Sequence, residues 1–537
     1  MSVNMSMPFK IVFLVLVSEI LIANDAARIL AVFPMPSISH QVVFRPLTHE
    51  LAKRGHEIIV ITPNPAFPKG QTPYNITEID VHNVSYEKWQ TYVTIAGEHK
   101  TELEKIRFAM IMVQEIFEAQ VKTKEFQEIL YDSGREYDLL LIEACVPYAL
   151  GLSHIFKNTP VIQISSLAGT NNNYEAFGAA MHPLLYPDMF HKKIQNLSFL
   201  DKLSELYNHY SFEMMFRSLY TDSHEYMKNL FGQDTPTVKE LNNNVDLLLL
   251  NVHSIWDSNR PVPPNVIYLG GMHQKPQNNL TAELQKYLDS SKNGVIYVSF
   301  GSSIRPSLFP PEKVQAMINV FSKLPYDVLW KWDEDVLPGQ SKNIKISKWL
   351  PQSDLLKHPK IKMFITQCGL QSTDESLTAG VPLIGIPIIA DQFYNAEKYI
   401  VHKIGLKLQL GTFTEEQLET AIISIANNKS YKENIVHLRS VMNDHHETPL
   451  QRAVWWTEHV LRHRGARHLR SPAHNITWME YLEMDLVLTC VVLSLTAIVI
   501  VDRFFICFSK KKTYMNSDRQ SHIFFHVYKM FICMLSE

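Results

Sequence analysis

A helix N-terminus in the second half of the chain has the groups needed to bind a diphosphate. An apolar strand over residues 363–366 is followed by Gly369 and by a helix that is predicted to open near Ser372. The free N–H groups and partial positive charge at the start of a helix can hold a diphosphate without a metal ion. Glu375, in the first turn of that helix, can accept hydrogen bonds from ribose hydroxyls. The spacing therefore predicts a nucleotide site at this helix.

Three residues around that helix can bind the remaining parts of the same ligand. Trp349 offers a flat aromatic face to a base. Asp391 and Gln392 end another loop at the same edge of the predicted sheet, where their polar atoms can bind sugar hydroxyls. The residue types favour a nucleotide that carries a sugar.

A histidine in the first half can act as a general base. His40 is predicted to lie in the loop after the first strand, beyond its carboxyl end, where α/β domains place their chemistry. An imidazole with an ordinary pKa of about 6.5 can accept a proton from a hydroxyl at neutral pH. The chain has 23 histidines, so the residue type alone assigns no role. The hypothesis rests on the position of His40.

Alternating strands and helices must position these residues. Strands are predicted over residues 28–33, 56–62, 138–144, 161–165, 245–251, 294–300, 327–332, 344–346, 363–366 and 381–387, and helices over 42–54, 311–324 and 372–379. This order predicts parallel sheets with right-handed crossovers. The three prolines in residues 257–265 predict a linker, so two α/β halves are expected to face a cleft. Residues 170–240 are predicted to form a surface insertion or a lid.

The composition excludes several classes of protein. The chain has 537 residues, more than the roughly 250–300 that one hydrophobic core supports. It has 51 Lys and Arg against 54 Asp and Glu, and this near-neutral balance argues against a nucleic-acid binder. The five cysteines are scattered and form no Cys-x-x-Cys pair, which argues against a disulfide framework and a structural zinc site.

The sequences at both ends of the chain predict a protein that is targeted to and anchored in a membrane. Lys10, a short apolar core and the small residues Ala26 and Ala27 describe a secretory signal peptide. Residues 486–508 are long and apolar enough for a hydrocarbon core of about 30 Å, and lysines follow directly. The positive-inside rule places those lysines in the cytoplasm, so residues 27 to about 484 are predicted to face a lumen. Six glycosylation sequons precede the apolar segment, at Asn75, Asn83, Asn196, Asn279, Asn428 and Asn475.

The run from Trp349 to Gln392 resembles the signature of the UDP-glycosyltransferases, the GT-B enzymes that move a sugar from a UDP-sugar to a small lipophilic acceptor. The resemblance covers essentially residues 25–512 and is nearest to insect members. It implies an α/β GT-B fold, in which two Rossmann-like domains face a cleft and one transmembrane helix follows. The implied parts are a signal peptide (1–26), an N-terminal acceptor-binding domain (27–255), a C-terminal UDP-sugar-binding domain (256–455), helices packing back towards the N-terminal domain (456–484), a transmembrane helix (485–508) and a cytoplasmic tail (509–537).

The resemblance also assigns roles to residues. The implied UDP-sugar ligands are Ser302, Trp349, Gln352, Thr366, Gln367, Gln371, Ser372, Glu375, Asp391 and Gln392. In this assignment Trp349 stacks on uracil, Gln352 helps to hold the nucleoside and Glu375 binds ribose. Residues 366–372 and Ser302 lie near the diphosphate, and Asp391 and Gln392 contact the donor sugar.

The catalytic residues implied by the resemblance are a histidine and a carboxylate. The general base of the family falls on His40, and its aspartate partner falls on Glu143, with Asp138 as the alternative. Such a carboxylate orients the imidazole and stabilises the imidazolium. Two positions depart from the family pattern. Gln367 stands where many members have histidine, and Cys368 stands where glycine is usual, so its side chain is expected to crowd the phosphates.

Together these implications predict inverting, metal-independent transfer of a hexose, with glucose preferred, as in detoxification or in hormone or pigment conjugation. UDP-glucuronate is the alternative donor, and a membrane-anchored binding protein without catalysis is the alternative function. A metal-dependent transferase would need an acidic site, but the acidic triplet at Asp333–Asp335 is predicted to be a solvated loop. No cofactor and no metal ligand is predicted. The expected partners are a UDP-sugar, a lipophilic acceptor and the bilayer of the endoplasmic reticulum. The chain is expected to be a single-pass type I membrane protein with its catalytic part in the lumen. A homo-oligomer is a further possibility that the sequence does not decide.

Overall fold

The computed structural model describes residues 26–95, 101–132, 134, 136–302 and 304–514. The predicted signal peptide before residue 26 and the tail after residue 514 lie outside the described residues. One compact unit ends at Asn475, and a second begins at Ile476.

Within the described residues of the first unit, the strands form two sheets in which all pairs are parallel. The first sheet has the order β3-β2-β1-β4-β5-β6-β7. Its strands are β1 Arg28–Val32, β2 Glu57–Thr62, β3 Ile76–Asp80, β4 Leu139–Glu143, β5 Val161–Ser165, β6 Val245–Leu250 and β7 Val266–Tyr268. Val32 pairs with Ile142, so the carboxyl ends of β1 and β4 lie side by side.

The helices of the first half connect and cover this sheet. They are α1 Ile38–Lys53, α2 His82–Ile95, α3 Glu102–Val121, α4 Lys124–Tyr131, α5 Leu152–Ile155, α6 Asn171–Phe177, α7 Phe199–Phe231 and α8 Val238–Leu241. Helix α1 begins at Ile38, four residues before the predicted start at residue 42, because Ser37 already has the extended backbone of an N-cap. The prediction that His40 lies in a loop is therefore wrong, since His40 is in the first turn of α1.

The second sheet has the order β10-β9-β8-β11-β12-β13. Its strands are β8 Val295–Ser299, β9 Asp327–Lys331, β10 Ile344–Ser347, β11 Ile361–Thr366, β12 Leu383–Gly385 and β13 Gly405–Lys407. Every residue of the central strand β8 is buried, as expected for a parallel sheet that is covered on both faces. Thr366 pairs with Ser299, so the loops after β8 and β11 leave the sheet at the same edge.

The helices of the second half connect and cover the second sheet. They are α9 Ala282–Ser290, α10 Pro311–Lys323, α11 Gln352–Leu356, α12 Leu370–Ala379, α13 Gln392–Val401, α14 Glu415–Asn427, α15 Ser430–Met442 and α16 Pro449–His463. Helix α12 begins two residues before Ser372, the predicted start, because Gly369 is its extended N-cap. Helix α16 returns to the first half, where Ala453, Val454 and Val460 join the core beneath the first sheet.

The segment between the halves is a buried network. Arg260 and Asp257 are only 3% exposed, and the Arg260 guanidinium donates to Asp257 and to the carbonyl oxygens of Ala180, Tyr186 and Pro187. Trp256 donates from Nε1 to Asn395 Oδ1 of the second half at 2.8 Å. The prolines predicted a linker here, and the structure instead shows a tightly bonded junction.

The second unit contains α17 Trp478–Tyr481 and α18 Met484–Tyr514. Residues Met484–Cys507 of α18 have a mean hydropathy of 2.5, and none of this stretch is buried within the protein. By length and composition this helix can cross a membrane.

Candidate active site

A cavity of about 430 Å³ opens at the carboxyl edges of both sheets. Residues from both halves line it, and ten of the twelve predicted site residues are among them: His40, Ser302, Trp349, Gln352, Gln367, Gln371, Ser372, Glu375, Asp391 and Gln392. The other two, Glu143 and Thr366, are fully buried directly behind the wall. The fold therefore brings together residues that are more than 300 positions apart in the sequence.

The wall from the first half carries a histidine–carboxylate pair. His40 Nδ1 lies 2.6 Å from Glu143 Oε1. The pair forms because α1 starts just beyond β1, while Glu143 ends the neighbouring strand β4. With Nδ1 directed at the carboxylate, Nε2 is the ring nitrogen left to face the cleft. The sequence left Glu143 and Asp138 as alternatives; Asp138 lies at the opposite end of β4 and accepts a hydrogen bond from the Arg28 backbone at 2.8 Å.

The carboxylate of Glu143 is held by two further donors. Its Oε2 accepts a hydrogen bond from the Met35 backbone at 3.1 Å, and its Oε1 accepts one from the Cys145 thiol at 3.2 Å. Because Glu143 is completely buried, these bonds replace the water that an ionised carboxylate would lose. They also fix the direction of the oxygen that faces His40.

Two buried glutamines hold the backbone before His40. Gln41 donates from Nε2 to the carbonyl oxygens of Phe33 and Met35. Gln120, from α3, donates to the carbonyl oxygen of Pro34 at 2.7 Å. Sequence reasoning missed these glutamines and Cys145, since only the fold brings α3 and the end of β4 to this loop.

The second half presents the N-terminus of α12 to the cleft. Its N-cap, Gly369, makes no side-chain capping bond, so no capping side chain occupies the first N–H groups of the helix. Ser372 is the third residue of the helix, and its hydroxyl accepts a hydrogen bond from Gln352 Nε2 at 2.9 Å. Buried Thr366 accepts from the Cys368 backbone through Oγ1 and thus shapes the turn that leads into the helix.

A glutamine organises the part of the cleft next to Trp349. Gln352 Nε2 donates to Glu375 Oε2 at 2.7 Å, and Gln352 Oε1 accepts from the Tyr297 hydroxyl at 2.9 Å. The ring of Trp349 is 62% exposed, and Lys331 Nζ lies 4.8 Å from its centroid. An exposed ring beside fixed polar groups can receive a flat base.

Two carboxyl groups of this wall have raised pKa values. Burial raises the pKa of Glu375 to about 7, although the hydrogen bond from Gln352 opposes the shift. Burial also raises the pKa of Asp391 to about 6, against the hydrogen bond from Asn395 and the electrostatic effect of His40. Acids perturbed by burial in a cleft are typical of binding and catalytic sites.

The remaining predicted residues have partners that define their orientation. Gln371 Nε2 donates across the cleft to the Ser166 carbonyl oxygen at 2.8 Å. Gln392 Oε1 accepts from the backbone N–H groups of Ile388 and Ile389, which orders the loop before α13. Gln367 accepts from Thr366 and packs so closely on Gly301 that a Cβ at that glycine would lie 2.1 Å from Gln367 Nε2.

The expected crowding by Cys368 does not occur. Its backbone has φ of 71°, the left-handed region that favours glycine. Its side chain is fully buried, and Sγ points towards Gly385 and away from the cavity lining. The departure from glycine therefore affects the backbone at this turn and leaves the cleft open.

Several lining residues have no counterpart in the sequence analysis. Lys331 ends β9, and its Nζ donates to the Gly301 carbonyl oxygen at 2.7 Å. His273 is buried, and burial lowers its pKa to about 4. A lysine at the carboxyl end of a strand was the signal that could have identified Lys331; His273 had no comparable signal.

The acidic triplet that could have formed a metal site is engaged elsewhere. Arg305 contacts both Asp333 and Glu334, and Lys348 lies 2.8 Å from Asp335. None of the three acids lines the cleft. This arrangement agrees with the prediction of a solvated acidic loop.

Comparison with known proteins gives the family. The model described as UDP-glucoronosyl and UDP-glucosyl transferase matches residues 28–518. The ecdysteroid UDP-glucosyltransferase of Spodoptera littoralis nuclear polyhedrosis virus is 37% identical over 501 residues, which are 89% of this chain and 96% of the relative. UDP-glucosyltransferase 2 of Dactylopius coccus is 30% identical over 494 residues, 90% of this chain and 93% of the relative.

Solved structures give the fold. The calicheamicin glycosyltransferase has a TM-score of 0.55 at 17% identity, covering 82% of this chain and 99% of its own. Os79 from O. sativa has a TM-score of 0.54 at 16% identity, covering 81% and 100%. The two parallel sheets form the expected GT-B fold. The protein thus belongs to the UDP-glucuronosyl and UDP-glucosyl transferase family and is a UDP-glycosyltransferase.

Proposed function

We propose that this protein transfers glucose from UDP-glucose to a hydroxyl of a small lipophilic acceptor, with inversion at the anomeric carbon and without a metal ion in the transfer step. The observation that carries the proposal is the pair formed by His40 and Glu143, whose 2.6 Å contact leaves Nε2 of His40 directed to the cleft. A base on one wall faces a diphosphate site on the other, as an attack opposite the leaving group requires.

The proposed reaction moves one proton and exchanges one bond. His40 Nε2 takes the proton of the acceptor hydroxyl while the acceptor oxygen attacks the anomeric carbon. The bond from that carbon to the diphosphate oxygen breaks, and its electron pair leaves with UDP. Glu143 stabilises the imidazolium, and the N–H groups at the start of α12 stabilise the charge on the leaving diphosphate.

Glucose is favoured over glucuronate by the charge of the sugar end of the site. Asp391 is a half-buried acid that lines this wall, so the carboxylate of a glucuronate placed beside it would be repelled. Relatives named as UDP-glucosyltransferases support the same donor, and those named ecdysteroid UDP-glucosyltransferases support a hydroxylated steroid as the acceptor to test first. A role in detoxification or in hormone or pigment conjugation follows from an acceptor of this class.

We infer further that the chain is a single-pass type I protein of the endoplasmic reticulum with a lumenal catalytic part. The apolar stretch in α18, followed by Lys510, supports the anchor and its direction. Sequon asparagines 75, 83, 196, 279 and 428 are exposed, as glycosylation requires. Asn475 differs, because it is half-buried and its Nδ2 donates to the Lys239 carbonyl oxygen at 2.7 Å.

The test is a transfer assay on the detergent-solubilised full chain. UDP-glucose, UDP-glucuronate and UDP-galactose are each offered with an ecdysteroid and with a simple phenol, in the presence and absence of EDTA. We expect a glucoside from UDP-glucose, at an initial rate that does not change immediately after EDTA is added. Because the donor has an α linkage, a β-glucoside identified by NMR would establish inversion.

Other results would change the proposal in defined ways. Product from UDP-glucuronate alone would reassign the donor. Immediate loss of turnover with EDTA and recovery with Mg²⁺ would contradict metal independence. UDP binding by calorimetry without product from any pair of substrates would favour the binding-protein alternative.

A further inference from the structure

A second group of convergent polar side chains lies outside the cleft. Asp188 is 2% exposed, His191 3% and His209 5%. Asn171, the first residue of α6, completes the group. The four residues come from three separate segments: α6, the loop over residues 178–198 and α7. This loop is called the strap below.

The atoms of the group are close enough to share one metal ion, since one ligand atom from each of Asp188, His191 and His209 lies within 4.8 Å of the other two. Asp188 Oδ1 lies 3.0 Å from His191 Nδ1, and Asp188 Oδ2 lies 3.5 Å from His209 Nδ1. The amide of Asn171 lies 2.6 Å from Asp188 Oδ2 and 3.2 Å from His209 Nδ1. Four-coordinate zinc, with bonds of about 2.0–2.1 Å to nitrogen and oxygen, separates its ligands by roughly 3.3 Å.

The Asn171 amide can supply the fourth oxygen. Amide oxygen and nitrogen are interchangeable in a side-chain placement, because the hydrogen-bond partners alone decide the assignment. Turned by half a rotation, Asn171 would direct Oδ1 to the position that Nδ2 now occupies. That oxygen would lie beside Asp188 and His209, so the group offers two imidazole nitrogens and two side-chain oxygens.

The groups behind His209 and Asp188 resemble the outer shell of a metal site. Glu213 Oε2 lies 3.9 Å from His209 Nε2, the ring nitrogen that faces away from the group. A carboxylate behind a ligating histidine fixes its orientation and raises its basicity. Asp188 Oδ1 also accepts the Phe190 N–H at 2.8 Å, which fixes the carboxylate.

We propose that Asn171, Asp188, His191 and His209 bind a zinc ion. Imidazole ligands select zinc over calcium and magnesium, which prefer oxygen shells. Binding through Nδ1 requires both imidazoles to be unprotonated at that atom, so each proton now shared with Asp188 or Asn171 must move to Nε2 or to solvent. This site is structural and is separate from the transfer step proposed above.

The ion would fasten the strap to the rest of the first half. Just beyond His191, the Lys192 carbonyl oxygen accepts from Lys407 Nζ at 3.1 Å, and the Ile194 N–H donates to Glu397 Oε2 at 3.4 Å. Glu397 belongs to α13, which begins directly after Asp391. The zinc-held strap therefore supports the helix whose start forms the sugar end of the cleft, a consequence that rests on the proposed function.

The first experiment measures metal in the purified full chain. Plasma mass spectrometry after dialysis should find about one zinc per chain, and removal with dipicolinate should lower the melting temperature, with recovery on adding zinc. Cobalt substituted for zinc should give visible absorption bands. A zinc content far below one that added zinc does not raise, with an unchanged melting temperature, would overturn the proposal.

Variants locate the ion. His191→Gln and His209→Gln should each lose the zinc. His459→Gln is the control, because His459 of α16 and His468 of the turn after it form a rival pair of possible ligands, with His459 Nε2 3.4 Å from His468 Nε2. If His459→Gln lost the zinc and His191→Gln kept it, the metal would be bound at His459, and this assignment would be wrong. Metal content and melting temperature need no turnover, so the transfer assay can fail without affecting this test.

Discussion

The two halves of the cleft are built on the same kind of parallel sheet but present different functional groups. The first half presents a completed side-chain pair, in which both carboxylate oxygens of Glu143 already have hydrogen-bond partners. The second half presents a helix N-terminus without a capping side chain, and two half-buried acids, Glu375 and Asp391, with raised pKa values. A base that moves a proton needs an exact direction before substrate arrives, whereas a site for a charged ligand can leave groups for the ligand to satisfy. Substitution of the histidine–carboxylate pair in the first half should therefore lower turnover, whereas neutralising an acid of the second half should lower donor affinity and raise stability.

Loss of the base should have the largest effect. His40→Ala is expected to lower kcat roughly 1,000-fold, because general base catalysis contributes on the order of 10²–10⁴. UDP affinity should stay within about twofold, since the diphosphate site is on the other wall. Steady-state kinetics and calorimetry with UDP measure the two quantities. Equal turnover in this variant would remove His40 from the mechanism.

Neutralising its partner should have a smaller effect of the same kind. Glu143→Gln keeps an oxygen near His40 Nδ1 but loses the charge that stabilises the imidazolium, so kcat should fall roughly 100-fold with little change in UDP affinity. Asp138→Asn is the matched control, because this exposed acid lies at the far end of β4. A larger loss in Asp138→Asn than in Glu143→Gln would reverse the assignment of the pair.

Neutralising the acid near Trp349 should separate affinity from stability. Glu375→Gln is expected to weaken UDP binding about 10- to 100-fold, the range for a hydrogen bond to a charged group. The same variant should be more stable than the parent at pH 8 by about 1–3 kcal/mol, because the buried acid must ionise there.

The sign follows from the direction of the shift. A pKa raised to about 7 in the folded protein gives stability that is present below the unfolded pKa and lost as pH rises through 7. The advantage of Glu375→Gln should thus shrink between pH 8 and pH 5. Melting temperatures of the two proteins across this range measure it, and a constant difference would contradict burial as the cause.

Relief of the left-handed turn should have the smallest effect. Cys368→Gly should change the free energy of unfolding by less than about 1 kcal/mol, because relief of the left-handed backbone strain at this position offsets the lost packing of Sγ. UDP affinity should not change, since Sγ points away from the cleft. Gly301→Ala gives the contrast: its Cβ would meet Gln367 Nε2, so UDP affinity should fall. A clear change of affinity in Cys368→Gly would restore the crowding hypothesis.

The sequence predicted the central strands well and the element boundaries less well. Continuous apolar runs such as residues 138–144 and 294–300 were identified because parallel strands are buried on both faces. Short strands such as β3 Ile76–Asp80 were missed, since a partly exposed edge strand has no such run. The starts of α1 and α12 were placed too late, because serine and glycine at an N-cap also look like loop residues.

The amino-acid sequence alone specifies which functional groups are available to the active site. These are a histidine after the first strand, a carboxylate at the end of another strand, and polar residues at the start of a helix. Only the tertiary structure decided which of them meet. The choice of Glu143 over Asp138 depends on the register of β4 against β1, and the support from Gln120 depends on where α3 packs. The grouping of Asp188 with His209 likewise depends on the return of α7 past the strap. Such contacts join distant segments, and a sequence records each segment without recording its neighbours in space.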